Sequence, residues 1–367
     1  MQKAINIVYS TDANGIEQLY VSLFSLLKNK ENKTSYSITV FCKDFTSAIK
    51  NNLLKIVNLF DNSSINFIDF KQYEEEYDLA NIEMNKEHFL NLKWPAPTYY
   101  RLFIPWIFSN EEKVIYIDID TLVLKDLTSL YNTNVTGYVA GVQEYAISSW
   151  IQWNNEAKRN GEYVNPKHIY NHFDDGSTDY DKHVQAGVLV FNIKKWLNLD
   201  LKKFIDVARK LNLNDQDLMN YLFRTDITFI PDVYNLCLNL WSDKNIDLFN
   251  EWYKITPEQV LENFQNGYIY HFSIKTKPDW ILNSTTFDAL LTIGSVEKFT
   301  NLMLDWDKYS IEYGYKDNMD LQWKFKQLSE PYKFEVNFSP KYKIYKLAFD
   351  KWFEYAFELY QKTNIKS

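Results

Sequence analysis

Two acids close an apolar run in Val114-Ile115-Tyr116-Ile117-Asp118-Ile119-Asp120-Thr121. In an extended chain side chains alternate, so Asp118 and Asp120 share one side and Ile119 faces the other. Carboxylates placed in this way repel unless a cation sits between them, and hard oxygen ligands suit Mg²⁺ or Mn²⁺. The C-terminal end of a sheet strand is also where open α/β sheets bind ligands. Two solvated acids opening a turn is the plainer reading of the same residues. Arg101 lies in an aromatic-rich, helix-like stretch, and its planar fork suits a carboxylate or phosphate. A structural ion pair would use it equally well. His271 ends a short strand-like stretch before the basic loop Lys275-Thr276-Lys277-Pro278.

These residues need a scaffold, and the first half of the chain alternates strand-like and helix-like segments. Ile5–Ser10, Tyr36–Cys42, Ile65–Phe70, Lys113–Asp118 and Tyr138–Val142 read as strands. Leu19, Leu23, Leu26 and Leu27 recur at helical spacing, as do Ile49, Leu53, Ile56 and Val57. Strands joined by helices predict an α/β fold with a mostly parallel sheet covered on both faces. The pattern weakens over 144–185. Val188–Asn192 reads as a strand again, Asp200–Leu211 and Asp215–Phe223 as helices, and Tyr268–His271 as a short strand. The alternation ends near 285, which divides the chain into a catalytic unit, 1–285, and a helical extension, 286–367. Tyr342–Tyr360 reads as an aromatic amphipathic helix. It would lie on a membrane surface or pack on the catalytic unit or a second subunit, and its modest basic excess favours packing.

The chain has 367 residues, 46% hydrophobic and 24% charged, which excludes a disordered or collagen-like polymer. A formal charge of −8 argues against a general nucleic-acid binder. The two cysteines, Cys42 and Cys237, have no metal-ligand spacing. No window approaches the ~20 apolar residues of a membrane span, and the N-terminus lacks a signal-peptide pattern. The expected location is the cytoplasm, with peripheral contact to the inner membrane face as the variant reading.

The D-x-D stretch resembles that of nucleotide-sugar glycosyltransferases with the GT-A fold, most closely family 8. Four further segments match that family in order. They are Ile7-Val8-Tyr9-Ser10-Thr11-Asp12-Ala13-Asn14, Pro97-Thr98-Tyr99-Tyr100-Arg101-Leu102, Gln185-Ala186-Gly187-Val188-Leu189-Val190-Phe191-Asn192 followed by Asn214-Asp215-Gln216-Asp217, and His271-Phe272-Ser273-Ile274-Lys275-Thr276-Lys277-Pro278. The resemblance covers residues 5–280. It implies a GT-A nucleotide-sugar-binding fold, a UDP-sugar donor, and Mn²⁺ (with Mg²⁺ as the alternative) held by Asp118, Asp120 and His271. It implies that Ser10, Thr11, Asp12 and Asn14 border the uridine, with Ile119 in the same pocket. Gln185, Ala186 and Gly187 would form a wall of the donor pocket, and Lys277 would reach the diphosphate. Arg101 and Asp215 would stand at the donor sugar, and Gln216 beside the reacting carbon. The plainer reading of Asp12 and of Asp215 is a helix cap.

Departures from the family pattern bear on sugar choice. Gln185 stands where Asn is common, Ile274 where Gly is usual, and Asp279 interrupts K-P-W. The implied reaction is retaining transfer of a hexose, galactose or glucose, to a saccharide, glycolipid or glycoprotein acceptor. Gln216 is a weak nucleophile, which favours a same-face substitution over a covalent intermediate. Two other classes compete. Asp118-Ile119-Asp120-Thr121 also fits the D-x-D-x-T motif of haloacid dehalogenase-like phosphotransfer enzymes, with Asp118 as nucleophile. A non-catalytic UDP-sugar-binding module would share the pocket without turnover.

Overall fold

The computed structural model describes residues 3–79, 95–143, 183–211, 214–223, 225–238, 254–272, 305–323 and 340–365, with isolated positions between them. Seven strands form one sheet: β1 Ile5–Asp12, β2 Tyr36–Lys43, β3 Ser63–Asp69, β4 Lys113–Ile117, β6 Val139–Gln143, β7 Val184–Asn192 and β8 Ile227–Ile230. Their order is β3-β2-β1-β4-β7-β6-β8. Only β7 runs against its neighbours, so the sheet is mostly parallel, as expected. Three short strands, β5 Thr121–Val123, β9 Leu236–Cys237 and β10 Ile269–His271, make a second sheet in the order β5-β10-β9.

The central strands are apolar on both faces. Ile5, Ile7 and Tyr9 enter one core cluster and Val8 the other, and Ile115 and Tyr116 divide in the same way. Each such buried side chain contributes about 1.5–3 kcal/mol from burial, and the alternation distributes that gain over both faces. Helix α1, Ile16–Lys28, and helix α2, Ser47–Val57, cover the first face. Glu17 in the first turn of α1 and Lys28 in the last suit its dipole. The opposite face receives the helical turns of 97–107, helix α3 Leu201–Leu211 and helix α4 Asp215–Phe223. Thr256 begins helix α5, Pro257–Gln265, with a capping box closed by Gln259.

The tail forms helix α6, Pro340–Thr363. Ile344, Ala348, Trp352, Phe353, Ala356 and Leu359 are buried in the first core cluster. The Trp352 ring meets Phe272 edge-on, with centroids 5.0 Å apart. Tyr355 accepts a hydrogen bond from Asn29 Nδ2 at 2.8 Å, and Lys28 pairs with Glu358. The apolar face of α6 is therefore turned to the protein core. No helix among the described residues is long and apolar enough to cross a membrane.

The structure adds three strands to the sequence reading: β5, β8 and β9. It also starts β7 at Val184 rather than Val188. Most of the weak stretch 144–185 lies outside the described residues.

Candidate functional site

Strand β4 ends at Ile117, and Asp118 to Asp120 form the turn that carries the chain into β5. The strand alternation expected for the two acids therefore does not apply, because the extended backbone stops one residue earlier. Their carboxylates converge through the turn instead. Its backbone is tied on both sides. Asp118 N–H donates to Gly187 O on β7 at 2.8 Å, and Phe272 N–H donates to Asp120 O at 2.8 Å. Thr121 Oγ1 donates to Asp118 O at 2.8 Å and meets Ser22 Oγ of α1 at 2.9 Å.

The antiparallel pairing of β10 with β5 places His271 opposite Thr121. The ring thereby arrives beside the turn, with Nε2 3.3 Å from Asp120 Oδ1 and 3.8 Å from Asp118 Oδ2. One ligand atom from each of Asp118, Asp120 and His271 lies within 4.8 Å of the others. Neighbouring ligands of an octahedral ion with bonds of ~2.1 Å sit about 3 Å apart, so these separations suit a divalent cation. Carboxylate oxygens and an imidazole nitrogen are both donors that divalent ions accept. Gly187 makes room for the ring: a Cβ there would lie 2.2 Å from His271 Cε1.

Arg101 is the hub of the opposite side. Its Nη2 lies 2.8 Å from Asp118 Oδ1, and Nη1 donates to Ala186 O at 2.6 Å. Its Nε is 3.0 Å from Asp215 Oδ2, but the hydrogen on Nε is directed at Thr98 O, 3.1 Å away. Asp215 Oδ2 is thus buried beside a charge yet lacks an aligned hydrogen bond among the described residues. The guanidinium also lies 4.3 Å over the Tyr116 ring. Tyr116 donates to Asp118 Oδ1 at 2.7 Å and meets Ser10 Oγ at 2.8 Å. Burial holds the Tyr116 phenol well above its ordinary range, outweighing the Arg101 charge, so it stays a donor.

Three carboxylates face one guanidinium among the described residues. With a neutral imidazole, two negative charges are left uncompensated, the number that a divalent cation neutralises. Burial alone would lower the His271 imidazole, but the adjoining Cys237 sulfur and Asp120 carboxylate raise it well above its ordinary value. The positive charge thus drawn to Nε2 is what a cation would replace.

Burial pushes the Asp215 carboxyl up to about 6; Arg101 opposes this and Asp118 adds to it. The folded state then holds a proton that the unfolded chain, with an ordinary value of 3.8, releases. The stability from that proton is complete below about pH 4 and is lost as pH rises through 6. Asp215→Asn is expected to remove this slope. Relative to wild type it should gain about 1–1.5 kcal/mol between pH 5 and 7.5, read from urea midpoints at both pH values.

A family model described as glycosyl transferase family 8 matches residues 6–281. The chain belongs to glycosyl transferase family 8. Within the family it is 27% identical over 244 residues to a putative glycosyltransferase of Haemophilus influenzae, covering 64% of this chain and 63% of that protein. It is 22% identical over 291 residues to the lipopolysaccharide 1,2-glucosyltransferase of Escherichia coli strain K12, covering 75% of this chain and 73% of that protein. The fold matches the solved structure of the bifunctional glycosyltransferase WbbM with a TM-score of 0.59 at 22% identity, over 78% of this chain and 48% of that one. It also matches the galactosyltransferase LgtC, solved with donor and acceptor sugar analogues, with a TM-score of 0.54 at 19% identity, over 75% and 89% of the two chains. The mixed α/β fold with its mostly parallel central sheet is the GT-A fold of these glycosyltransferase neighbours.

The structure brings Arg101, Asp118, Asp120, Gln185, Ala186, Gly187, Asp215, Gln216 and His271 of this family 8 chain into one cluster. Gln216 Oε1 accepts from Ala186 N–H at 3.0 Å, and Asn220 fastens α4 to β7 through both backbone groups of Val184. Asn214, not Asp215, caps α4, its Oδ1 accepting from Asp217 N–H at 2.7 Å. Asp12 does cap its own turn, accepting from Asn14 N–H at 2.9 Å and from Asn14 Nδ2 at 3.2 Å. Thr11 and Ile119 approach each other over Gly15, where a Cβ would lie within 2.4 Å of both. Lys277, Ile274 and Asp279 lie outside the described residues. Sequence reasoning passed over Tyr116, Asn220 and Asn235. Tyr116 had a signal, standing two residues before Asp118 at the end of the same apolar run; the two asparagines had none.

Proposed function

We propose that this family 8 chain is a Mn²⁺-dependent retaining hexosyltransferase. In this reading it moves galactose or glucose from a UDP-sugar to a saccharide, glycolipid or glycoprotein acceptor. The carrying observation is the convergence of Asp118, Asp120 and His271 beside the buried Arg101–Asp215 pair. The glucosyltransferase name of the Escherichia coli relative and the galactosyltransferase name of one structural neighbour support a hexose donor. Residues 1–285 are assigned the catalysis. Residues 286–367 are assigned to an extension whose last helix completes the core, which supports packing over membrane attachment for that helix.

Bound at the triad, the cation would supply electrostatic stabilisation of charge growing on the departing diphosphate. The protein's own groups bind and orient. Asp12 and Asn14, at the end of β1, offer a carboxylate and an amide to the uracil edge and ribose. Ser10, through Tyr116, steadies Asp118. Asp215 Oδ2, buried without an aligned donor among the described residues, is suited to accept from a sugar hydroxyl. Lys277 is assigned the diphosphate. The Gln216 carbonyl oxygen already accepts from Ala186 N–H, which further weakens it as a nucleophile. Same-face substitution follows: the acceptor hydroxyl approaches beside the leaving diphosphate, whose oxygen takes its proton.

The test is UDP release over a panel of UDP-sugars with Mn²⁺, Mg²⁺ or EDTA. Turnover of UDP-galactose or UDP-glucose, highest in Mn²⁺ and abolished by EDTA, is the expected result. Calorimetric binding of UDP-sugar without turnover would point to a binding module. Hydrolysis of a phosphomonoester through Asp118 would point to the phosphotransfer class.

A further inference from the structure

The triad offers His271 as a ligand through Nε2, which requires the ring's other nitrogen to carry its proton. A side-chain amide does not reveal by shape which end is oxygen; its partners must decide. Here a backbone group begins the chain of decisions. Gly187 N–H can only donate, and it lies 2.7 Å from the end of Gln185, which must therefore be Oε1. That same oxygen contacts the end of Asn235, which must then be the donor Nδ2. The other end of Asn235 is left as Oδ1, and it stands 3.0 Å from His271 Nδ1. An amide oxygen accepts, so Nδ1 carries a proton, and in the neutral ring that a cation would bind the lone pair falls on Nε2, towards Asp120.

We infer that Asn235, its amide oriented by Gln185, is the positioning residue that fixes the His271 tautomer for cation binding. The inference rests on the proposed reading that the triad holds a divalent cation. Two other atoms approach Nδ1. Gln185 Nε2 is 3.5 Å away and would call for the opposite tautomer. That length is at the limit of a hydrogen bond, whereas 3.0 Å is ordinary. Cys237 Sγ lies at 3.4 Å, and a thiol takes either polarity weakly. The short parallel pairing of β9 with β10 sets this arrangement, aligning Cys237 with His271 and bringing Asn235 alongside. Asn235 is 3% exposed, so water does not compete for its oxygen. Gln185 Oε1 receives two donors, which fills its acceptor capacity. The departure from the family's usual Asn thus has a use: the longer side chain reaches Asn235 and the metal ligand behind it.

The measurement is Mn²⁺ binding to the full-length protein, by the electron paramagnetic resonance signal of free Mn²⁺. The melting transition of each metal-free variant is recorded alongside. Asn235→Leu should weaken Mn²⁺ binding about 10–100-fold. Asn235→Asp keeps an acceptor at Nδ1 and should bind at least as tightly as wild type. Equal losses in both variants, or undiminished binding in Asn235→Leu, would overturn the assignment. If Asn235→Leu does not fold, two-bond ¹H–¹⁵N spectra of the metal-free wild type, recorded at a pH high enough for the ring to be neutral, decide: a proton on Nδ1 supports the assignment and its absence overturns it. Only five histidines need resolving. A wild type that binds no Mn²⁺ defeats the metal reading itself, and the same spectra then report separately on the tautomer.

Discussion

Replacing Asp120 by asparagine is expected to lower UDP-sugar turnover about a thousandfold, the consequence of losing roughly 4 kcal/mol of transition-state stabilisation from a bound cation. The substitution keeps the shape of the side chain but removes the anion that faces His271 at 3.3 Å. Folding should survive, because Asp120 adds negative charge to a site that already has more than Arg101 can offset. A binding measurement separates loss of cation from loss of fold. Wild-type protein should gain about 2.7 kcal/mol of unfolding free energy in Mn²⁺ at a hundred times its dissociation constant. Asp120→Asn should gain little and melt near the metal-free wild type. Full turnover in the variant, or an undiminished Mn²⁺ gain, would remove the cation from the proposed role of these side chains.

The elements that carry the site were legible to unequal degrees. β1, β2 and β3 could be read within about two residues of their bounds, β1 and β2 because they bury continuous runs and β3 because its side chains alternate, and α1 and α2 showed in the helical spacing of their apolar residues. β5 and β9, with three and two residues, are too short for any period to show. Yet they determine where His271 lands, since its neighbours are set by pairing between strands distant in sequence. The two acids were visible as a spacing, although they meet by a turn rather than by strand alternation. The cap offered as the plainer reading of Asp215 falls to Asn214, because the helix begins with Asp215 as its first residue. Asn235 had no signal at all: an isolated amide in Tyr234-Asn235-Leu236-Cys237 gains meaning only when β9 aligns with β10.

Arg101→Met is expected to be the most destabilising of these substitutions, by about 3–5 kcal/mol at pH 7.5, the range for stripping a buried charge of its partner. Burial works against the Arg101 cation, but the Asp118 and Asp215 carboxylates outweigh it and hold its pKa above the ordinary value. Methionine fills much of the volume and leaves Asp215 ionised in a buried site with Asp118 nearby. Most of the penalty therefore lies in the abandoned carboxylate, and the two consequences are measurable. At pH 5 the loss should shrink, because the folded state retains the Asp215 proton below about pH 6 in wild type and to still higher pH once the opposing guanidinium is gone. In the double variant with Asp215→Asn, much of the stability should return, giving a coupling energy of about 1–3 kcal/mol in a urea cycle. If the double variant were as unstable as the sum of the singles at pH 7.5, Arg101 would act through packing on Tyr116 rather than by balancing charge. In either case turnover should stay low, since Asp118 would have lost the guanidinium that orients it.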